Sequence, residues 1–287
     1  MRVVVDTSAV ASFLAAADEV AVGRVDPLSA WTDYEREHAA VFASYLTGWG
    51  SPERRPAAAA AMAVTAARLR TAAIDWPAVL EQVATVLTPL VDADVTVPVV
   101  VFVGMNTSNG WVTSFVGHRT MFIAAECVPD RTRGAVLAAH EATHAVQDLL
   151  DPAWASDDLT LGAHTFAEGL ATDVSAVAVP VHRDDEYLWF DATHQQWLTD
   201  CERAWPVAAA ALREVLDEPC GGAAERRFFT LHSAGADTGL PSRFGYHAGL
   251  RVVRDLARNR SVADLLTLDV PSTTELVREY LDRTGRT

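Results

Sequence analysis

Two histidines four residues apart, with a glutamate beside the first, make His140-Glu141-Ala142-Thr143-His144 the segment best suited to chemistry. On an α-helix, residues i and i+4 project from one face. Two imidazoles so placed can hold one Zn²⁺, and the carboxylate of Glu141 can reach a water at the metal. Chance would produce this H-E-x-x-H pattern in roughly 0.015 places in a chain of this composition, so coincidence explains it poorly. The plain alternative is a helix with two unrelated histidines and a solvated glutamate.

The surroundings predict a helix. Asp130 is suited to cap its start. Val136, His140, His144 and Gln147/Asp148 fall on one stripe, among the small and apolar Ala135, Ala138, Ala142, Ala145, Val146 and Leu149. Asp151-Pro152 ends the helix, because the residue before a proline is pushed out of the α region. Catalytic zinc needs a third protein ligand and an open fourth position. The H-x-x-G-x-x-H continuation of the metzincins is absent, since Gln147 and Leu150 stand in its places. A second helix, carrying His164 to Val179 and stopped by Pro180, offers Glu168 as third ligand. His164 lies one turn earlier on the same face and is the competing choice. Asp148, Asp157, Asp158 and Asp173 are further oxygen donors. Gly169, Ala171 and Ala176 keep one side of this helix slim, for close approach to the His140/His144 helix.

The phrase Phe166-Ala-Glu168-Gly169-Leu170-Ala171 resembles the E-G-x-A segment that supplies the glutamate ligand in gluzincin metallopeptidases. Its distance from His144, 24 residues, suits that group. Many gluzincins carry E-x-x-x-D, whose aspartate orients a ligating histidine. Here Thr172 holds that place and Asp173 follows, so Asp173 from a shifted position, or a backbone carbonyl, is left for the task. Downstream, Pro241-Ser-Arg-Phe-Gly-Tyr246-His247-Ala-Gly249-Leu-Arg-Val-Val253 opens a further helix. Taken together, H-E-x-x-H, F-x-E-G-L-A and G-Y-x-x-G-x-x-V over residues 95–255 resemble the family of predicted Zn-dependent proteases known as DUF2268. In that family and its relatives a tyrosine or histidine of the C-terminal helices faces the metal. The resemblance therefore implies Tyr246 as stabiliser of an oxyanion, with His247 and His232 behind it and His164 in the cleft. The plain alternative for Tyr246 is a half-buried tyrosine that packs the helix start.

The elements that must position these residues are also legible. Val95–Val103 is β-branched and apolar and reads as a strand; Asn106–Gly110 is a turn cluster. Trp111–Phe115 and Arg119–Ala125 read as two further strands around Gly117. Strands followed directly by an H-E-x-x-H helix resemble the core of the zincin fold. The expected class is α+β: a small mixed or antiparallel sheet packed on the H-E-x-x-H helix. The last strand, near Met121–Glu126, is expected to edge the cleft, either pairing with an extended peptide or as an ordinary sheet edge. Helices are expected at Ala9–Val20, Leu28–Tyr45, Ala57–Ala73 and Trp76–Leu90. The chain is expected to form one compact unit: a helical region (1–92), a catalytic core (93–180) and a helical lobe (181–287), whose Trp189, Trp197 and Trp205 read as core.

Composition narrows the function. The net charge of −15 does not suggest a nucleic-acid groove. The three cysteines form neither a zinc ribbon nor a disulfide framework. No apolar run reaches membrane-span length, and the start makes a poor signal peptide, so a cytoplasmic protein is expected. Val3-Val-Val-Asp6-Thr-Ser-Ala-Val resembles the opening strand of PIN-type nucleases, whose aspartate binds Mg²⁺ or Mn²⁺. A comparable acidic set is missing, and Asp6 as a cap of the next helix is the plainer account. The expected activity is that of a zinc metallohydrolase of gluzincin type, a peptidase with one Zn²⁺ per chain, Glu141 as general base and a peptide or protein substrate. Two alternatives stand beside it: a zinc-stabilised binding protein without turnover, and a PIN-like nuclease.

Overall fold

The computed structural model describes residues 1–91, 94–156, 158–180, 183–189, 193–231 and 239–285. The chain is mixed α+β, with one four-stranded sheet and fourteen helices among the described residues. It divides into two compact units. One is Met1–Thr85 with Asp94–Glu141; the other is Val86–Ala93 with Ala142–Thr287.

In the first unit the sheet has the order β1-β2-β4-β3. β1 (Arg2–Asp6) runs parallel to β2 (Thr96–Phe102), with Val3 opposite Val97. β2 runs parallel to β4 (His118–Ala124), and β3 (Gly110–Phe115) closes the far edge antiparallel to β4. Val116 and Gly117, at φ 48° and 80°, supply the two left-handed residues that a tight hairpin between β3 and β4 requires. Two expectations are corrected here. β4 is an interior strand, hydrogen-bonded on both sides, and the edge belongs to β3. The first residues also add a strand to the sheet, because three consecutive β-branched valines pair in register with β2. Asp6, at the end of that strand, accepts the Ser8 N–H (2.8 Å) in a local turn; the N-cap of the following helix is Thr7, whose side chain makes no capping bond, so Asp6 is not its N-cap.

Six helices begin in this unit ahead of the H-E-x-x-H helix: α1 (Ser8–Ala21), α2 (Pro27–Glu37), α3 (Ala39–Tyr45), α4 (Arg55–Ala60), α5 (Met62–Ala72) and α6 (Trp76–Leu87), whose last residues pass its boundary. Asp26 caps α2 by accepting the Ser29 N–H, with Pro27 pre-set at the first turn. The stretch expected as one helix at 28–45 breaks at His38, and that at 57–73 breaks at Ala61. Phe13, Trp31, Tyr34, Phe42, Tyr45, Phe102, Trp111 and Phe122 form a continuous aromatic core, most pairs meeting edge to face.

Helix α7 (Arg131–Leu150) is one continuous element through the division between the units. The second unit adds α8 (Leu161–Ala178), α9 (Asp184–Trp189), α10 (Gln195–Arg213), α11 (Ala223–Phe229), α12 (Phe244–Leu256), α13 (Val262–Leu266) and α14 (Val270–Thr284). α8 and α12 meet backbone to backbone. A Cβ on Gly169 would lie 2.1 Å from the Gly249 carbonyl carbon, and one on Gly249 would lie 2.1 Å from the Thr165 oxygen. Gly169 is thus slim for α12, and not, as expected, for the helix of His140 and His144. No helix among the described residues is long and apolar enough to cross a membrane.

Candidate metal centre

The Asp130 carboxylate accepts the Arg133 N–H (2.9 Å) and its carbonyl the Gly134 N–H (3.0 Å), which starts α7 where the sequence places it. Ala135, Ala138, Ala139, Ala142 and Ala145 are all buried, so the helix sinks into the protein and takes His140 with it. α8 starts on Thr160, whose hydroxyl accepts the Ala163 N–H. It carries Glu168 inward among Leu161, Phe166 and Leu170.

His140, His144 and Glu168 converge. One ligand atom of each lies within 4.8 Å of the others, and no other such group of histidine, cysteine or acidic residues occurs among the described residues. His140 and Glu168 are buried and His144 half-buried. The donor set, two imidazoles and a carboxylate, is one that zinc uses. Ligands at zinc bond lengths around a tetrahedral ion stand about 3.4 Å apart; His144 Nε2 and Glu168 Oε1 stand 3.5 Å apart. That pair has the spacing such an ion requires, and the three residues together could hold a metal.

Glu141 is buried beside the first of these histidines. Its neighbour is Gly110, the first residue of β3: a Cβ there would lie 2.8 Å from Glu141 Cγ and 3.0 Å from Oε1. Gly110 reads from sequence as a turn glycine. Its bare Cα in fact makes room for the carboxylate. Trp111 fixes this point, stacked on Trp49 (5.1 Å) and Phe122 (5.3 Å).

The other candidates separate. His164 Nδ1 lies 3.9 Å from Glu168 Oε1, beside the cluster and not in it. Its ring meets Phe229 (4.5 Å), and Phe229 meets Tyr246 (5.3 Å), so a ladder of rings joins Tyr246 to the residue next to Glu168. His247, one residue on and about a quarter-turn round the helix, faces α10 instead. Its Nε2 lies 3.1 Å from Glu202, and Trp197 and Trp205 pack on its ring. Burial pushes its pKa down to about 4 although Glu202 pulls the other way. It is not behind Tyr246 in a cleft. Asp173 pairs with Arg254 (3.3 Å), so its carboxylate is engaged on α12; burial raises its pKa, outweighing the arginine. Asp148 is buried on α7 and Asp158 is exposed, both outside the cluster. His232 and Asp157 lie outside the described residues.

Three residues here escaped the sequence reasoning: Gly110, Phe229 and Arg243, whose guanidinium lies 4.4 Å from the Tyr246 ring centre. Comparison with protein-family models, with curated proteins and with solved structures finds no match to this chain.

Proposed function

We propose that the protein is a zinc-dependent metallohydrolase of zincin type, acting as a peptidase. The observation that carries the proposal is a buried His140–His144–Glu168 cluster with a further carboxylate outside it, Glu141, one residue from the first histidine. A purely structural zinc site has four protein ligands. Three ligands with a buried carboxylate alongside form the pattern of a site that keeps one position open.

His140, His144 and Glu168 would hold the ion. Zinc, when bound, supplies Lewis acidity that acidifies water and polarises a carbonyl. The chain does the rest. Glu141, kept in place against Gly110, accepts the proton of the attacking water and returns it to the leaving amine. β3 begins at Gly110 and runs along a sheet edge, so its unpaired backbone groups can bind an extended peptide that passes Glu141. The Tyr246 hydroxyl is the candidate donor to the oxyanion.

Elemental analysis and a peptide-mixture digest test this together. About one zinc per chain is expected, lost on chelation. His140→Ala and His144→Ala should lose it. Glu141→Gln should keep the zinc and lose hydrolysis, because an amide does not accept the proton. Glu168→Ala should weaken zinc binding far more than His164→Ala, whose loss is roughly 10–100-fold at most. No zinc uptake sinks the proposal. Full zinc with no cleavage of any peptide favours the binding protein without turnover.

A further inference from the structure

Arg243 stands immediately before α12 in a conformation that ordinary side chains avoid, φ 59° and ψ 25°. Glycine or asparagine suits that left-handed position better. Arginine there is also a cation at a helix N-terminus, against the macrodipole. Two unfavourable choices at one residue point to a function.

The guanidinium packs on two aromatic rings. It lies 4.8 Å from the Trp189 ring centre and 4.4 Å from that of Tyr246. Aromatic clamps use the faces of a guanidinium and leave its in-plane N–H groups to donate. Among the described residues it forms no ion pair, in a chain of net charge −15. Its neighbours on α12 differ: Arg251 pairs with Glu202 (2.9 Å) and Arg254 with Asp173 (3.3 Å). Through Tyr246, Phe229 and His164 the clamp is continuous with the surroundings of Glu168. Trp189 and Ser242, which flank Arg243, also line an open cavity of about 810 Å³.

We infer that Arg243 binds a carboxylate of the substrate, so that peptides with an acid group near the scissile bond are preferred. The inference rests on the peptidase proposal and names its substrate class. Two sources share this chemistry: the C-terminal carboxylate, which would make the enzyme an exopeptidase, and an Asp or Glu side chain.

Peptide binding to full-length, zinc-loaded Glu141→Gln protein, followed by tryptophan fluorescence and calorimetry, tests it. Three acetylated pentapeptides serve as probes: pentaalanine as the free acid, pentaalanine as the amide, and the amide with a central Glu. One acid-bearing peptide should bind at least roughly 10-fold more tightly than the plain amide, and which one it is identifies the source. Adding Arg243→Asn should erase that margin, a roughly 10–100-fold loss for a charge-assisted pair, without lowering the thermal midpoint, because asparagine accepts the backbone conformation. Equal binding of all three, or no binding at millimolar concentration, overturns the inference. So does an Arg243→Asn variant that keeps the margin, whatever its midpoint. Zinc content and digestion of the peptide mixture by wild type report separately on the peptidase proposal.

Discussion

Residues 103–110 end at Gly110, against Glu141; residues 241–246 end at Tyr246, against Phe229 and Arg243. The first segment is fastened group by group. The Tyr34 hydroxyl takes the Val103 N–H and donates to its carbonyl, both at 3.0 Å. Glu126 takes the N–H groups of Gly104 (2.9 Å) and Asn106 (3.0 Å), and the Tyr45 hydroxyl takes that of Met105 (2.9 Å). The hydroxyls of Thr107 and Ser108 bond the Trp49 carbonyl, and the Ala124 N–H bonds the Asn109 carbonyl. In the second segment the Trp197 indole bonds the Ser242 carbonyl, the Arg243 backbone N–H bonds the Thr230 carbonyl, and the Arg243 and Tyr246 side chains pack against rings. Hydrogen bonds fix direction, whereas ring contacts permit sliding at small cost. A proton acceptor has to be held within about half an ångström, and a side that grips varied substrates gains from giving way. The contrast assigns chemistry to the first segment and recognition to the second.

Gly110→Ala should break the first role with the largest effect. The new Cβ meets Glu141 Cγ at 2.8 Å, and a glutamate side chain can swing aside, so the protein folds and the base is displaced. Turnover should fall roughly 100-fold or more, with zinc content unchanged. If kcat survives, Glu141 is not held by this contact. Gly245→Ala makes the corresponding intrusion in the second segment, 2.3 Å from the Phe229 ring. That ring must move, and it packs on both His164 and Tyr246. The expected change is in KM, of the order of several-fold, with kcat nearly kept. Equal losses of kcat in both variants would erase the distinction between the segments.

The parts legible in the sequence are those set by local rules. The spacing in H-E-x-x-H is helical whatever the tertiary context, so His140, His144 and the placement of Glu141 follow at once. Glu168 follows from a short phrase on an equally plain helix. Strand order is not local. Val3 pairs with Val97 and Met121 with Val99, and nothing in either stretch announces the partner, so β4 reads as an edge when it is interior. Gly110 looks like any turn glycine, because the pressure on it comes from a side chain 31 residues on. Tyr246 and His247 read as one pair, yet helical neighbours differ by about 100°, which sends one toward Phe229 and the other toward Glu202. Arg243 is hidden by its propensity: no local rule places arginine in the left-handed region.

The smallest expected effect comes from Glu126→Gln, and its sign is informative. Glu126 is buried, and burial raises its pKa although the N–H groups of Gly104 and Asn106 and the charge of Arg68 all pull it down. The folded chain therefore keeps this proton to higher pH than the unfolded chain does. By linkage, the contribution of Glu126 to stability is greatest below the ordinary carboxylate range and declines as pH rises from there through the raised value. Glutamine does not titrate. Its single amide oxygen also serves only one of the two N–H groups, which sets a roughly pH-independent offset of about 1–3 kcal/mol. Melting both proteins from pH 4 to 8 should show the difference in midpoint moving in favour of the variant as pH rises. Movement the other way would mean that the hydrogen bonds of the 103–110 segment outweigh burial and that the segment is held by a charge. Turnover should change little in either case, because Asn109 and the stacked Trp111 hold Gly110 independently.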